Sequence, residues 1–100
     1  MVIWSEPART DLRSIFDFIA NDSRHYARKV TQDIRGKTDI LNELPKIGKI
    51  AAELNNETVR ELWIYSYRII YEIKEQNIFV LAVVHKRRDL KAEDIQNSSD

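Results

Sequence analysis

The residues best equipped for chemistry are cations that occur in two clusters between Thr58 and Leu90. Arg60 and Arg68 lie in strand-like runs, and His85-Lys86-Arg87-Arg88 closes a third apolar run. Such cations bind the anionic groups of a partner, and an imidazole can also transfer a proton near neutral pH. The remainder of the sequence has no cysteine, no set of metal ligands and no phosphate-binding loop. We therefore expect the function to reside in this stretch, as a sheet that presents charge toward a macromolecule.

The composition limits the class of protein to which the chain can belong. One hundred residues argue for one domain, placed here at residues 1–95, with residues 96–100 as a disordered tail. Lys and Arg number 16, as do Asp and Glu, and this balance weakens long-range attraction to nucleic acid. The sequence shows no leader, no membrane-spanning run and no sign of a cofactor or metal. We expect a cytoplasmic protein without membrane contact.

A strand and an amphipathic helix are predicted at the start of the chain. The apolar run Val2-Ile3-Trp4 is typical of a short strand. Ser5 or Glu6 can cap the helix that follows, with Pro7 in its first turn, where a missing N–H costs nothing. Apolar residues then recur at helical spacing until Asn21-Asp22.

A second amphipathic helix is predicted from Ser23, and Pro45 and Gly48 would stop it. Gly36 lies inside it, which suggests close packing against the first helix. The predicted buried stripe of this helix is Tyr26, Ala27, Val30, Ile34, Leu41 and Leu44. The short break between the two helices predicts an antiparallel helical hairpin.

The hydrophobic period changes after the helices. Residues 58–65, 67–74 and 78–86 are rich in β-branched and aromatic side chains, which predicts three strands joined by short hairpins. The predicted fold class is α+β: an N-terminal strand, a helical hairpin and a three-stranded antiparallel sheet.

The length of the first hairpin loop decides which face carries the arginines. A three-residue loop would place Arg60 and Arg68 on one face, and a two-residue loop would separate them. We expect the three-residue loop, because it gathers aromatic residues and isoleucines on one face and charges on the other.

The last predicted strand is apolar on both faces, so both faces need cover. Strict alternation puts Phe79, Leu81 and Val83 on one face. The helices can cover one side of the sheet. Either the C-terminal segment 90–95 or a second protein must cover the other.

Several segments together resemble the RelE/ParE superfamily of bacterial toxins from toxin–antitoxin pairs. They are Trp4 with Ala8-Arg9-Thr10-Asp11-Leu12, Leu44-Pro45-Lys46-Ile47-Gly48-Lys49, Val59-Arg60-Glu61-Leu62, Tyr67-Arg68-Ile69-Ile70-Tyr71 and Val84-His85-Lys86-Arg87-Arg88-Asp89. The last of these segments is more similar to the ParE branch than to the Tyr-bearing tails of many RelE nucleases. The resemblance implies the toxin of a type II toxin–antitoxin system that inhibits DNA gyrase by binding, within a hetero-oligomer with its cognate antitoxin. It also leaves open a ribosome-dependent mRNA endonuclease or a non-toxic, antitoxin-binding member.

The resemblance assigns roles to particular residues. Contact or scaffold roles fall on Arg60, Arg68, His85, Lys86, Arg87 and Arg88. Because the last strand is apolar on both faces, an antitoxin is expected to bury Phe79, Leu81 or Val83 of that strand, or the neighbouring helical hairpin.

The nuclease alternative would use Glu53 as base, Arg68 to hold the phosphate and His85 as acid. The residue after His85 is Lys86, where the nuclease branch that this trio resembles has a tyrosine. Arg68 could instead form a structural pair with Glu61 or Glu72.

The two tryptophans, Trp4 and Trp63, are expected to serve in packing rather than in base stacking.

Overall fold

Two helices cover one face of a five-stranded mixed sheet in the computed structural model, which describes residues 1–91 and residue 95. Along the chain the elements are β1 (Val2–Trp4), α1 (Glu6–Ala20), α2 (Arg24–Lys37), β2 (Lys49–Ile50), β3 (Val59–Ile64), β4 (Tyr67–Lys74) and β5 (Asn77–His85). The strands lie in the order β1-β5-β4-β3-β2; β1 is parallel to β5, and the other neighbours are antiparallel. The predicted fold class is confirmed, with β1 and the short β2 extending the predicted three-stranded sheet to five strands.

The described part of the chain contains no helix that is long and apolar enough to cross a membrane. The tail predicted at residues 96–100 lies outside the described residues.

Serine caps begin both helices, as the sequence predicts. The Ser5 hydroxyl accepts a hydrogen bond from the Ala8 N–H at 3.2 Å, and the Ser23 hydroxyl accepts one from the Tyr26 N–H at 3.0 Å. Each bond satisfies a backbone donor that the helix itself cannot pair. Pro7 lies in the first turn of α1, as predicted.

The second helix ends earlier than predicted. It stops at Lys37, and a 3₁₀ helix continues over Thr38–Asn42. A 3₁₀ helix has three residues per turn instead of 3.6, so the apolar stripe of α2 does not continue in phase. Leu41 is buried as predicted, but Leu44 is 51% exposed, and its predicted place in the buried stripe is wrong.

Gly36 does not serve close helix packing. A Cβ atom built at this position would meet no atom within 4 Å. The predicted packing role is therefore wrong.

The hairpin between β3 and β4 separates the two arginines. Its loop is the two-residue turn Tyr65-Ser66, in which Tyr65 adopts a left-handed φ of 54°. In the resulting register Arg60 pairs with Tyr71, which packs on the helices, and Arg68 pairs with Trp63. Cross-strand partners share a face, so Arg60 faces the helices and Arg68 faces away from them. The prediction of a three-residue loop is wrong.

A β-bulge at Leu81 interrupts the alternation of β5. Its neighbours Val80 and Ala82 pair with consecutive residues of β4, so Leu81 is an extra residue. As a result Val80 and Val83 both pack on the helices, whereas Ala82 packs on the opposite face. The common face predicted for Phe79, Leu81 and Val83 does not form.

The sheet separates two apolar cores. The helix-side core contains Ala8, Leu12, Ile15, Val30, Ile34, Leu41, Leu62, Ile69, Tyr71, Ile78, Val80 and Val83. The smaller tail-side core contains Ala51, Val59, Ile70, Ala82, Val84 and Leu90, with Leu54 and Ile95 packed against it. We predicted that either the C-terminal segment or a second protein covers this face. The structure shows the C-terminal segment there, since Leu90 and Ile95 pack on the tail-side core.

Asp11 completes the free edge of β5. The parallel strand β1 ends at Trp4, and beyond it the Val83 N–H donates to the Asp11 carboxylate at 2.9 Å. Burial raises the pKa of Asp11, and the Val83 hydrogen bond and the charge of Arg88 act in the opposite direction. The carboxylate of α1 thus replaces a missing strand partner.

Candidate macromolecule-binding site

Arg68 is the centre of a buried ion cluster with Glu53 and Glu61. Its Nε lies 2.5 Å from Glu61 Oε2, and its two terminal nitrogens lie 2.8 and 2.9 Å from the two carboxylate oxygens of Glu53. Only 5% of the Arg68 side chain is exposed. The sequence-based pairing with Glu61 is confirmed. A guanidinium that two carboxylates already engage has little capacity left for the phosphate of a substrate.

The cluster shifts the pKa values of Glu53 and Arg68. The hydrogen bonds from Arg68 hold the pKa of Glu53 below its ordinary value, against the opposing effect of burial. Burial acts to lower the pKa of Arg68, but its bonds to Glu53 and Glu61 outweigh burial and raise it above the ordinary value. Glu53 and Arg68 therefore both remain charged near neutral pH.

The same cluster fastens the C-terminal segment onto the sheet. Arg68 donates to the Arg88 carbonyl oxygen at 2.8 Å, and the Leu90 N–H donates to Glu53 Oε2 at 3.4 Å. Leu90, which is 3% exposed, enters the tail-side core next to these bonds. Arg68 and Glu53 thus act as a scaffold that holds the segment covering this face.

The structure does not assemble the trio predicted for RNA cleavage. Glu53 and Arg68 lie on the tail-side face. His85 pairs in register with Tyr67, which packs on the helix-side core, and the two rings meet edge to face at 6.3 Å. The Nδ1 of His85 accepts a hydrogen bond from the Arg87 N–H at 3.2 Å. The candidate acid and the candidate base therefore lie on opposite faces of the sheet.

Arg60 is also a scaffold residue, but for a different segment. It donates to the carbonyl oxygens of Gly48 at 2.8 Å and Lys46 at 3.3 Å. The Tyr71 hydroxyl donates to the Pro45 carbonyl at 2.8 Å and accepts from the Gly48 N–H at 3.0 Å. Residues 44–48, hereafter the 44–48 loop, are thus held from two strands at once.

This loop presents apolar side chains that sequence reasoning missed. Leu44 is 51% exposed and Ile47 is 50% exposed, and both line a surface cavity of about 390 Å³. Exposed apolar side chains on a fixed backbone are typical of a protein-binding surface. The sequence signal was ambiguous for Leu44, because this leucine also fits the apolar stripe predicted for the second helix.

The basic end of β5 projects into solvent. His85, Lys86, Arg87 and Arg88 are all exposed. Lys86 lies near Trp63, with its Nζ 4.8 Å from the centre of the indole ring. Among the predicted contact residues, those of this basic end are accessible to a partner, whereas Arg68 is buried.

The two tryptophans differ in environment. Trp4 packs against the helix-side core, with the Arg35 guanidinium 5.6 Å from its ring centre, as the packing prediction requires. Trp63 is 45% exposed, and its predicted packing role is wrong.

The residues predicted to contact an antitoxin are mostly covered by the chain itself. Leu81 is 2% exposed and Val83 is 4% exposed, and Phe79 is half-buried. A partner reaches these side chains only if elements of the chain move.

A groove between the helices offers an accessible alternative. It encloses about 320 Å³ between α1 and α2. Its floor contains Leu12 and Phe16, and its rim carries Arg9, Arg13 and Arg35. The guanidinium of Arg24 also lies 5.9 Å from the Phe16 ring centre. An apolar floor with a basic rim fits an amphipathic acidic segment.

The fold and these surfaces define a small α+β protein with a helical hairpin on one face of its sheet and several exposed surfaces for partners. A family model described as ParE toxin of type II toxin-antitoxin system, parDE, matches residues 2–90. The chain belongs to this ParE toxin family.

A solved structure supports the same fold. A chain of the chromosomal ParDE TA system from P. aeruginosa aligns with a TM-score of 0.70 at 22% sequence identity, covering 84% of this chain and 92% of that one. A search of curated proteins found no match.

Proposed function

We propose that the chain is a type II toxin that inhibits DNA gyrase by binding it in the cytoplasm. Membership of the ParE toxin family supports this proposal. The observation that carries the choice of mechanism is the position of Arg68, which Glu53 and Glu61 engage on the face opposite His85. This arrangement favours a binding mechanism over the alternative of a ribosome-dependent mRNA endonuclease.

Two exposed surfaces would contact the target. Lys86 and Arg87 are exposed cations of the basic end, and Leu44 and Ile47 form the apolar part of the 44–48 loop. Apolar anchors supply most of the binding energy at protein interfaces, and exposed cations speed association and set orientation. Arg60 and Arg68 would support these surfaces from within.

We predict that the purified protein inhibits supercoiling by gyrase and that Lys86→Glu/Arg87→Glu weakens this inhibition at least tenfold, because the double charge reversal replaces attraction with repulsion. A supercoiling assay with relaxed plasmid measures both effects. Arg28→Glu/Lys37→Glu is the matched control, since it makes the same charge change on an exposed part of α2. Complete supercoiling at an excess of wild-type protein would reject the gyrase proposal.

The same preparation tests the alternatives. Ribosomes programmed with mRNA should show no new cuts at protein concentrations that inhibit gyrase. Cuts that disappear in His85→Ala would instead support the endonuclease. Unchanged growth on expression without a partner would support a non-toxic member.

The cognate antitoxin would occupy the interhelical groove with an acidic amphipathic segment. The basic rim and apolar floor support this placement. We predict that Arg9→Glu/Arg13→Glu weakens binding of the cognate antitoxin at least tenfold in calorimetry. Arg28→Glu/Lys37→Glu, on residues that do not line the groove, should bind within twofold of wild type. Equal affinity for both variants would place the antitoxin elsewhere.

A further inference from the structure

Trp63 lies at the edge of the tail-side face, where its indole ring is partly open to solvent. Its side chain is 45% exposed and lies one residue before the end of β3. Lys49 Nζ and Lys86 Nζ lie over its ring, 4.3 Å and 4.8 Å from the ring centre, and both lysine side chains are exposed. Within residues 1–91 and 95, neither ammonium forms an ion pair with a carboxylate. We call Trp63, Lys49 and Lys86 the tryptophan site.

A hydrogen bond to a buried carboxylate fixes the orientation of the indole. Its Nε1–H donates to Glu61 Oε2 at 2.8 Å, and the same oxygen lies 2.5 Å from Arg68 Nε. Glu61 and Arg68 are 6% and 4% exposed, so this support is part of the protein interior. A ring held in this way loses little further entropy when a ligand stacks on it.

The combination of groups selects one chemistry. Two ammonium groups attract phosphates or carboxylates, but the π face of an indole is electronegative and does not attract a carboxylate. A nucleobase stacks on such a face once an exposed lysine side chain moves off it toward a phosphate, so that the flanking phosphates each take one ammonium. A duplex keeps its bases stacked on one another, so the ligand that uses every group of the site is single-stranded.

We propose that Trp63, Lys49 and Lys86 form a binding site for single-stranded nucleic acid, in which the indole stacks on one base and the two ammonium groups neutralise the neighbouring phosphates. The chemistry of this site differs from that of the surfaces assigned above to gyrase. Lys86 belongs both to this site and to the basic end that would contact gyrase. Because the chain has no net charge, the interaction is local. Two neutralised phosphates give a slope of about −1.4 for the logarithm of affinity against the logarithm of salt concentration.

The test uses the full chain with fluorescently labelled octamers of deoxythymidylate and of uridylate, without gyrase or ribosomes, and measures anisotropy. Trp63→Ala should bind about fivefold to hundredfold more weakly, which is the contribution of one stacked base. Lys49→Gln/Lys86→Gln should weaken binding at least fivefold and bring the salt slope close to zero. Lys37→Gln, exposed on α2, is the control and should leave affinity and slope unchanged.

A second readout reports stacking directly. The chain has two tryptophans, so Trp4→Phe leaves Trp63 as its single tryptophan, whose fluorescence can be excited selectively over that of the four tyrosines. Octamer binding should quench this emission, and circular dichroism verifies that each variant is folded.

The outcomes distinguish DNA from RNA as the ligand, and nucleic acid from an acidic peptide. Tighter binding of one octamer identifies DNA or RNA as the ligand. Binding of neither octamer, or unchanged binding in folded Trp63→Ala, overturns the proposal. Equal competition by a glutamate octapeptide also overturns it, because the site would then bind acidic peptides. Since no gyrase is present, these results are independent of the supercoiling assay.

Discussion

Arg68→Met lowers the free energy of unfolding by about 3–5 kcal/mol, the cost of breaking a buried ion pair from one side. The substitution keeps a long apolar stem but removes the cation between Glu53 and Glu61. The Glu61 side chain is 6% exposed, so its carboxylate remains buried without its cation. Urea unfolding followed by circular dichroism measures the change.

The cost is a property of the unpaired carboxylates and not of the lost side-chain volume. Arg68→Met combined with Glu53→Gln and Glu61→Gln should therefore recover at least half of the lost stability, since neutral amides are far cheaper to bury than charges. Arg87→Met, at an exposed position, is the matched control and should change stability by less than about 0.5 kcal/mol. A loss below 1 kcal/mol in Arg68→Met would show that the cluster is not a scaffold.

The pH dependence provides an independent check. Arg68 lowers the pKa of Glu53 below its ordinary value of 4.5 in the folded protein. The resulting stabilisation is fully present above pH 4.5 and is lost as the pH falls through the lowered folded pKa. Arg68→Met lacks this component, so the difference in stability between variant and wild type should narrow on acidification below pH 4.5.

The cluster also explains which part of the site could be predicted. Glu61 was a recognisable candidate partner of Arg68, because the two lie on neighbouring strands. The three-residue loop that we expected would have put them on opposite faces, and only the observed two-residue turn brings them onto the same face. Glu53 was not a recognisable partner, because it lies in a 3₁₀ turn over Ala52–Leu54 that contacts Arg68 only through the tertiary fold. The family resemblance had assigned Glu53 and Arg68 to a catalytic trio, and their mutual bonds give them a structural explanation instead.

The fold followed from local signals where those signals were strong. The serine caps at Ser5 and Ser23 and the apolar periods of the helices correctly predicted where both helices begin. The faces of the sheet depended on turns whose sequences lack the usual markers. Tyr65 has a left-handed φ of 54°, yet neither residue of its turn is the glycine or asparagine that marks a two-residue hairpin.

The bulge at Leu81 is a similar case. It changes the face of every later residue in β5, and nothing in the run Ile78 to Val84 distinguishes Leu81 from its apolar neighbours. The contacts that position it come from elsewhere: the Ser5 hydroxyl donates to its carbonyl oxygen at 3.4 Å, and Asp11 binds the N–H of Val83. Such long-range hydrogen bonds have no local sequence signal.

Outside the ion cluster, Gly48 is the position where adding a single methyl group should lower the stability of the fold most. A Cβ atom there would lie 2.6 Å from the Glu61 carbonyl oxygen and 2.6 Å from the Tyr71 hydroxyl. The first of these atoms is backbone within β3, and the second belongs to a fully buried ring. Neither can move without disturbing strand pairing or the helix-side core.

Gly48→Ala should therefore lower the free energy of unfolding by about 3 kcal/mol, through overpacking and through loss of the hydrogen bonds that Tyr71 makes. Gly36→Ala is the matched control, because its added methyl meets no atom within 4 Å and a helical alanine is favoured over glycine. This control should raise stability, by up to about 1 kcal/mol. Urea unfolding measures both variants under the same conditions, and equal stability of the two would contradict the close contacts at Gly48.

A double-mutant cycle with Tyr71→Phe separates the two contributions to the Gly48→Ala loss. Tyr71→Phe removes the hydroxyl that both supports the 44–48 loop and obstructs the new methyl. In this background Gly48→Ala should cost about 1 kcal/mol less, because one of its two clashes and the hydrogen bonds at stake are already gone. Additive effects would mean that the Glu61 carbonyl alone resists the methyl. A coupling of the predicted sign would establish that Tyr71 holds the loop at the distance only glycine allows, which keeps Leu44 and Ile47 presented to a partner.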